Sequence, residues 1–384
     1  MGDSGALTPP HVRGVGRPTV AWVNLNAIRK NVETIRSHLG PAVQIMAVVK
    51  ADGYGHGAVP VARAALEAGA DRLGVALAEE GATLRAAGID APILVMGVTA
   101  PGQIDLVVQE RLEAVVFDAG TARWLSERAR GSGLRVPVHL KIDTGMTRLG
   151  LPTSDEAADL ASAITGLAGL ELAGLMSHLA DADHEDPSFT ERQYARFLEA
   201  LHAIRRRGIE VPYRHLANSA GLFRFPGLQM DMVRSGLALY GLSPYPGAPP
   251  LEPALSLTTE VVAMREAPAG VGVGYGHTFV TERPTRLAVV PVGYADGFRR
   301  GLSNQGAVLV GGRRVRVAGR VSMDQTVLAL GPDVDAQVGD DVVLLGRQGD
   351  EVITAEDWAG WLGTISYEVV TGLGARIPRR YRGG

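Results

Sequence analysis

Between about residues 44 and 240 the chain repeats one alternation eight times: a short apolar run, then a longer helix-forming stretch. The runs are IMAVVK (45–50), RLGVAL (72–77), PILVMG (92–97), EAVVFD (113–118), VPVHLKID (136–143), ELAGLMSHL (171–179), YRHLANS (213–219) and MVRSGLALYG (232–241). Between them lie stretches such as 59–70, 78–87, 121–129, 155–165 and 191–207, rich in Ala, Leu, Glu and Arg, which favour helix. Short apolar runs closed by turn residues read as buried strands. Strands alternating with helices build βαβ units on a parallel sheet. Eight in succession without a domain break predict a closed (β/α)₈ barrel of the TIM type in preference to an open doubly wound sheet.

The texture changes at the Pro-rich stretch SPYPGAPPLEP (243–253). Beyond it, β-branched runs broken by glycines (256–266, 285–297, 306–330, 339–347) predict a second, mostly β domain, with one short helix near 357–361. The expected division is a mobile tail over 1–18, the barrel over 19–245 with its first strand free to pair with the second domain, and the β domain over 246–384. A chain of 384 residues, 46% hydrophobic, can fill two cores of that size. Its net charge of −3 and the lack of a basic stripe argue against nucleic acid as a partner. Without cysteine there is no disulfide, thiolate metal site or cysteine nucleophile, which fits a cytoplasmic protein. The opening MGDSGALTPPHVRGVGRP lacks the apolar core of a signal peptide, and Ala6 stands where myristoylation wants Ser or Thr. No apolar run is long enough to span a bilayer.

Barrel active sites form at the C-terminal ends of strands. Lys50 closes the first run just before ADGYGHG, where glycines let a ligand approach the backbone. A buried lysine has a lowered pKa and becomes an amine nucleophile able to form a Schiff base; the plainer alternative is a snorkelling cation. Asp143 ends the fifth run with Arg148 in the loop beyond, His178 ends the sixth, Asn218 and Ser219 end the seventh, and Arg234 lies within the eighth. Three of these have a structural alternative: a plain N-cap for Ser219, a partner for Asp231 in the case of Arg234, and a packed structural ring for His178.

AVVKADGYGHG, HLKIDTGMTRLG, SHLADAD, HLANSAGLF, MVRSGLALYG, VGYGHTF, VPVGYADG and SMDQ, in this order, resemble the alanine racemases, barrel-type pyridoxal-phosphate enzymes; the likeness runs from about 18 to 382. The resemblance implies a homodimer with active sites shared between chains, alanine as substrate, and D-alanine supplied for peptidoglycan. It implies two-base proton transfer at Cα on pyridoxal phosphate, with Lys50 and the partner subunit's Tyr275 as the bases. Tyr54, Ser219, Gly236 and Tyr367 would hold the phosphate, with Asn218 and Leu237 beside them, although Tyr367 could equally be a core tyrosine. Arg234 would face the pyridine nitrogen; a guanidinium does not give up its proton, so the nitrogen stays neutral and transamination is disfavoured. His178 would stack on the ring. Together with Arg148 it would supply the positive charge that a phenol, with an ordinary pKa near 10, needs to act as a base. Arg148 would also bind the substrate carboxylate side, and Lys141, often carbamylated in such enzymes, would pair with it. Met323 and Asp324 would narrow the pocket from the partner chain, with Ser322 standing where relatives often carry Cys. Tyr294 and Arg300 resemble access-channel residues.

Two signals point elsewhere and are set aside. GVGVGYGH has the spacing GxGxG, not that of a dinucleotide loop, and no βαβ unit follows. HLADADHED is rich in metal-ligand types but matches no defined zinc or calcium spacing, so no metal is expected. Two rival functions share the barrel. A basic-amino-acid decarboxylase would need an acid at the pyridine nitrogen and a cysteine. A pyridoxal-phosphate carrier would lack the second domain.

Overall fold

The computed structural model describes residues 16–383, and the expected tail lies outside them as far as residue 15. Its last residues are not loose. Arg17 reaches the fully buried Asp296 through two hydrogen bonds of 2.5–2.6 Å and also donates to Pro291 O. A carboxylate buried that deeply requires a cation, and this pulls residue 17 out of the predicted tail.

The chain divides into two compact units, residues 26–252 and the residues up to Leu25 together with those from Pro253 onward. The boundary falls at the end of the Pro-rich stretch. The first strand, β1 (Val20–Asn24), is part of the second unit. It pairs antiparallel with Leu255–Glu260 and parallel with Arg379–Arg382.

The first unit is the eight-stranded parallel sheet the alternation predicts: β2 (Gln44–Val48), β3 (Arg72–Val75), β4 (Ile93–Val95), β5 (Glu113–Val116), β6 (Val136–Lys141), β7 (Leu170–Met176), β8 (Tyr213–His215) and β9 (Met232–Ser235). The order runs β8-β7-β6-β5-β4-β3-β2-β9. Backbone bonds from Asp231 N to Arg214 O (3.2 Å) and Arg234 N to Ala217 O (3.0 Å) bridge its two ends. Helices over Ala58–Glu67, Ala78–Ala86, Ala119–Gly131, Ser154–Thr165 and Ser188–Arg206 occupy the predicted helical stretches. Met46, Leu94, Val115, Met176 and Met232 form a buried apolar cluster.

The second unit is mostly β: most strands between Leu255 and Arg382 join β1 in one large sheet, and Gly272–Val273 pairs with Phe279–Val280 in a separate two-stranded sheet. The expected short helix is Ala355–Leu362, started by a reciprocal cap between Thr354 and Asp357. A second helix, Ser366–Thr371, was not anticipated. Its six residues are too few to show a helical period.

One glycine of this unit fixes the segments that carry Tyr294 and Met323. Tyr294 N and Ala295 N donate to Ser322 O (3.0 Å) and Met323 O (3.1 Å), and a Cβ on Gly293 would sit 2.2 Å from Ser322 O. Gly293→Ala should therefore lower the melting temperature by several degrees, about the effect of 1–3 kcal/mol of overpacking. Gly227→Ala, where a Cβ meets open space, should leave it within a degree or so. Equal melting temperatures for the two variants in a thermal scan would show that the close approach carries no constraint.

Candidate active site

The backbone leaves β2 at Val48 and, after Lys50, turns the wrong way. Ala51, Asp52, Gly53 and Tyr54 all have φ between 52° and 60°, a left-handed turn in which three residues carry a Cβ. Each such residue costs roughly 1 kcal/mol. Bonds from Gly53 N to Val49 O, Gly55 N to Ala51 O and Gly57 N to Asp52 O hold the turn, and the Asp52 carboxylate accepts from Ala58 N. Tyr240, buried beside it, stacks on Tyr54 with ring centroids 4.7 Å apart and donates to Val48 O. Glu80 anchors the other side, accepting from Ala51 N (2.6 Å) and Ala76 N (2.8 Å). The sequence expectation of Lys50 as the last residue of a strand is corrected accordingly: it opens this strained turn.

Arg234 stands on the neighbouring strand, since β9 pairs with β2 in the register Met46↔Arg234. It is 3% exposed. Its Nη1 donates to His215 Nδ1 and His215 O, both at 3.0 Å; its Nη2 donates to Ser177 O, Leu216 O and His178 Nδ1 at 2.7–3.1 Å. Among the described residues no carboxylate bonds to it. Asp231, its candidate partner in the sequence reading, is taken by Arg214 at 2.5–2.6 Å. Burial pulls the Arg234 guanidinium down to about 10, still cationic at neutral pH.

This unbalanced charge adds to the effect of burial on its neighbours. Burial, then Arg148, lowers the Lys50 amine, and Arg234 adds to the effect. Burial, then Arg234 and Arg148, brings Lys141 down to about 8. Burial, then Arg234, holds His178 well below its ordinary value. With Arg234 donating to its Nδ1, His178 is a neutral ring and cannot be the cation the sequence reading assigned to it. The two nearby carboxylates are already engaged. Glu80 is tied to backbone N–H groups as above, and Asp143 accepts from Gly145 N and Thr147 N. Lys141, Asp143, Arg148 and His178 line one small hollow with Ile142, Met146, Leu149 and Ser177. The mouth is therefore rich in donors and poor in free acceptors, a setting for an anionic ligand.

Ser219 does not cap the helix it opens. Asn218 does, accepting from Gly221 N, while the buried Ser219 Oγ accepts from Gly236 N (3.1 Å) and Ala238 N (3.2 Å). A Cβ on Gly236 would fall 2.6 Å from Tyr54 Oη. Tyr54, Ser219, Gly236 and the buried Leu237 thus meet in one cradle that only glycine leaves open. In the second unit Tyr275 lies on the turn Tyr275–His277 and is 71% exposed; Met323 is 52% exposed and Tyr294 39%. Asp324 is bonded by Arg376, Arg300 opens a short turn, and Tyr367 is exposed on the helix Ser366–Thr371. His215, Tyr240 and Glu80 complete the barrel site and were missed as functional residues. His215 was visible in HLANSAGLF, whereas nothing local marks Tyr240 or Glu80 as neighbours of Lys50.

Only Lys30, Lys50 and Lys141 are lysines among the 38 basic residues, so amine reactivity can be read residue by residue. Lys30 is exposed and its pKa is raised by its bond to Glu252. At pH 8, in protein freed of bound small molecules, Lys50 should react with acetic anhydride several-fold faster than Lys30, since a lowered pKa enlarges the neutral fraction. Peptide mass spectrometry reads the rates; faster labelling of Lys30 would contradict the lowered Lys50 amine.

The alanine racemase N-terminal domain family model matches residues 23–244 and the C-terminal domain model residues 254–381. An alanine racemase of Symbiobacterium thermophilum is 48% identical over 370 residues, covering 96% of this chain and 98% of its own. The crystal structure of alanine racemase from Bacillus anthracis with bound L-Ala-P is 40% identical, with a TM-score of 0.91 and 97% of each chain covered. A histidine racemase from Leuconostoc mesenteroides subsp. sake shares the fold at 27% identity, with a TM-score of 0.88 over 96% of this chain and 99% of that one.

Proposed function

The chain belongs to the alanine racemase family, and from that premise we propose that it interconverts L- and D-alanine with pyridoxal phosphate, as a homodimer whose two active sites each use both chains. The observation that carries this reading is the Lys50 amine, lowered by burial and flanked by cations, beside a buried arginine that has no carboxylate partner among the described residues. The product, D-alanine, would feed peptidoglycan synthesis, and the work would be done in the cytoplasm. Among the described residues no helix is long and apolar enough to cross a membrane.

The residues present fit the cofactor. Tyr54, Ser219 and Gly236, which meet at one place in the barrel, are read as the phosphate side, where Ser219 Oγ and the Gly236 and Ala238 N–H groups now bonded to it would turn to the anion. Asn218, Leu237 and Tyr367 join them by family likeness alone, and Lys50 supplies the amine. His178, neutral and fixed by Arg234, is suited to pack on an aromatic ring. Bound pyridoxal phosphate withdraws electrons from the substrate amine and makes the Cα hydrogen acidic.

Lys50 takes or returns that proton on one face of Cα, and the partner subunit's Tyr275 does so on the other. Arg234 gives the ring nitrogen a hydrogen bond but no proton, which favours return of a proton to Cα over transamination. Arg148 binds on the carboxylate side. Lys141, at about 8, is partly neutral near pH 8 and can take up carbon dioxide as a carbamate that would balance Arg148. Met323 and Asp324 of the partner subunit narrow the pocket toward a small side chain, and Tyr294 and Arg300 border the access path. The exposed Tyr275, Met323 and Tyr294 give the second unit an apolar surface for a second copy to cover. A decarboxylase reading has no acidic residue at Arg234 and no cysteine to support it.

The test is racemisation of a panel of enantiopure amino acids, histidine included, by the cofactor-loaded protein. Alanine should turn over fastest, and carbon dioxide release from lysine or ornithine without racemisation would overturn the reading. Lys50→Ala should abolish turnover, and Tyr275→Phe should slow exchange of one enantiomer with solvent far more than the other. Dissociated, mixed and reassociated, the two variants should recover about a quarter of wild-type activity, because half the dimers carry one intact site. No recovery in active-site titration of the mixture would argue against shared sites.

A further inference from the structure

A line of buried side chains runs through the barrel interior from Arg234, and the chemistry proposed above leaves most of it unused. Arg234 Nη1 donates to His215 Nδ1 (3.0 Å), and His215 Nε2 lies 2.8 Å from His139 Nδ1. His139 Nε2 lies 3.2 Å from Glu113 Oε2, and Glu113 Oε1 accepts from Arg72 Nη1 (2.6 Å). Arg72 also donates to Gln44 Oε1 and packs over the Tyr213 ring at 4.3 Å. Both histidines are fully buried, and Glu113 and Arg72 are nearly so. The backbone makes room for this line. β6 and β7 slip register beside His139, and a Cβ on Gly174 would lie 2.3 Å from His139 Nδ1.

The direction of every bond in the line follows from its first member. A guanidinium has no acceptor, so His215 Nδ1 is bare and its hydrogen is on Nε2. His215 therefore donates to His139 Nδ1, which must also be bare. His139 then carries its hydrogen on Nε2 and gives it to Glu113. Contact with a carboxylate favours an imidazolium, but a second hydrogen on His139 would point at the His215 Nε2 hydrogen, so both rings are neutral. We propose that Glu113 and Arg72 are positioning residues for Arg234: through His139 and His215 they hold one fixed order of donors and acceptors that keeps Arg234 turned to its site. This rests on the reading of Arg234 as the residue facing the cofactor ring. The same line gives the guanidinium its nearest carboxylate along bonded groups, at the far end of two aligned imidazoles.

One substitution should reverse the line. In Glu113→Gln the amide oxygen goes to Arg72, which must have an acceptor, and the amide NH₂ faces His139 Nε2. His139 must then carry its hydrogen on Nδ1, His215 likewise, and the His215 Nδ1 hydrogen meets the Arg234 Nη1 hydrogen. Removing the demand of Arg72 in the double variant Arg72→Met, Glu113→Gln frees the amide oxygen for His139 and restores the original order.

The experiment is ¹⁵N NMR of the full-length protein, as purified, labelled at histidine, with resonances assigned by single His→Asn replacements. The wild-type pattern should show both rings with hydrogen on Nε2 alone. Glu113→Gln should move it to Nδ1 in both and lower alanine turnover about tenfold, the effect of one lost charged hydrogen bond. The double variant should recover the wild-type pattern and part of the turnover, which a merely structural role for Glu113 would not give. A doubly protonated or Nδ1-protonated ring in the wild type, or no change in Glu113→Gln, overturns the proposal. The wild-type spectrum decides even if a variant fails to fold. Wild-type tautomers as stated in a protein that racemises nothing would remove the functional reading and leave the ordered line standing.

Discussion

A buried guanidinium without a carboxylate organises this site. Taking Arg234 out of water costs several kcal/mol, and no neighbouring anion offsets it directly. Three backbone carbonyls and two imidazoles take up its Nη1 and Nη2 hydrogens instead. The charge is therefore held in place but not neutralised. Burial comes first in lowering His178, Lys50 and Lys141, the last to about 8, and the field of Arg234 adds to it in each case. An aspartate at the same position would reverse that added effect in each case, and with it the kind of chemistry the mouth of the barrel can support.

The second constraint is conformational. Lys50 is followed by three Cβ-bearing residues in left-handed backbone, a conformation with no local reason to form. It persists because Tyr240, Glu80 and Asp52 meet the turn with hydrogen bonds and a stacked ring. Strain of this kind persists where surrounding structure over-determines it, and it recurs at active sites. Here it joins the amine-bearing residue to Tyr54, whose ring sits at the glycine cradle with Ser219. The same cluster of contacts thus positions both ends of the candidate cofactor site.

The sequence carried the barrel plainly, because eight buried parallel strands need apolar runs and the helices between them need helix formers. It also pointed to Lys50 and Ser219 as candidates from their places at the ends of apolar runs and to Arg234 within one, whereas Tyr54 came only from the family resemblance. Long-range choices were hidden. Asp231 lies closer in sequence to Arg234 than Arg214 does, yet it pairs with Arg214, a matter of strand register and not of spacing. Asn218 and Ser219 are equally good caps on paper; only the approach of Gly236 and Ala238 gives Ser219 its other duty. The protonation state of His178 depends on burial, and the left-handed turn on side chains far along the chain, which no local propensity encodes.

Racemisation as proposed uses two different groups on opposite faces of Cα, each exchanging its proton with solvent only after the product has left. Its most direct test is the fate of the α-hydrogen when L-alanine is turned over in D₂O and stopped after a small fraction of conversion. The D-alanine formed should carry deuterium at Cα while the remaining L-alanine retains protium, with the mirror result from D-alanine. D-alanine that keeps the original hydrogen would show a single group passing the proton across the carbon, and the account would fail.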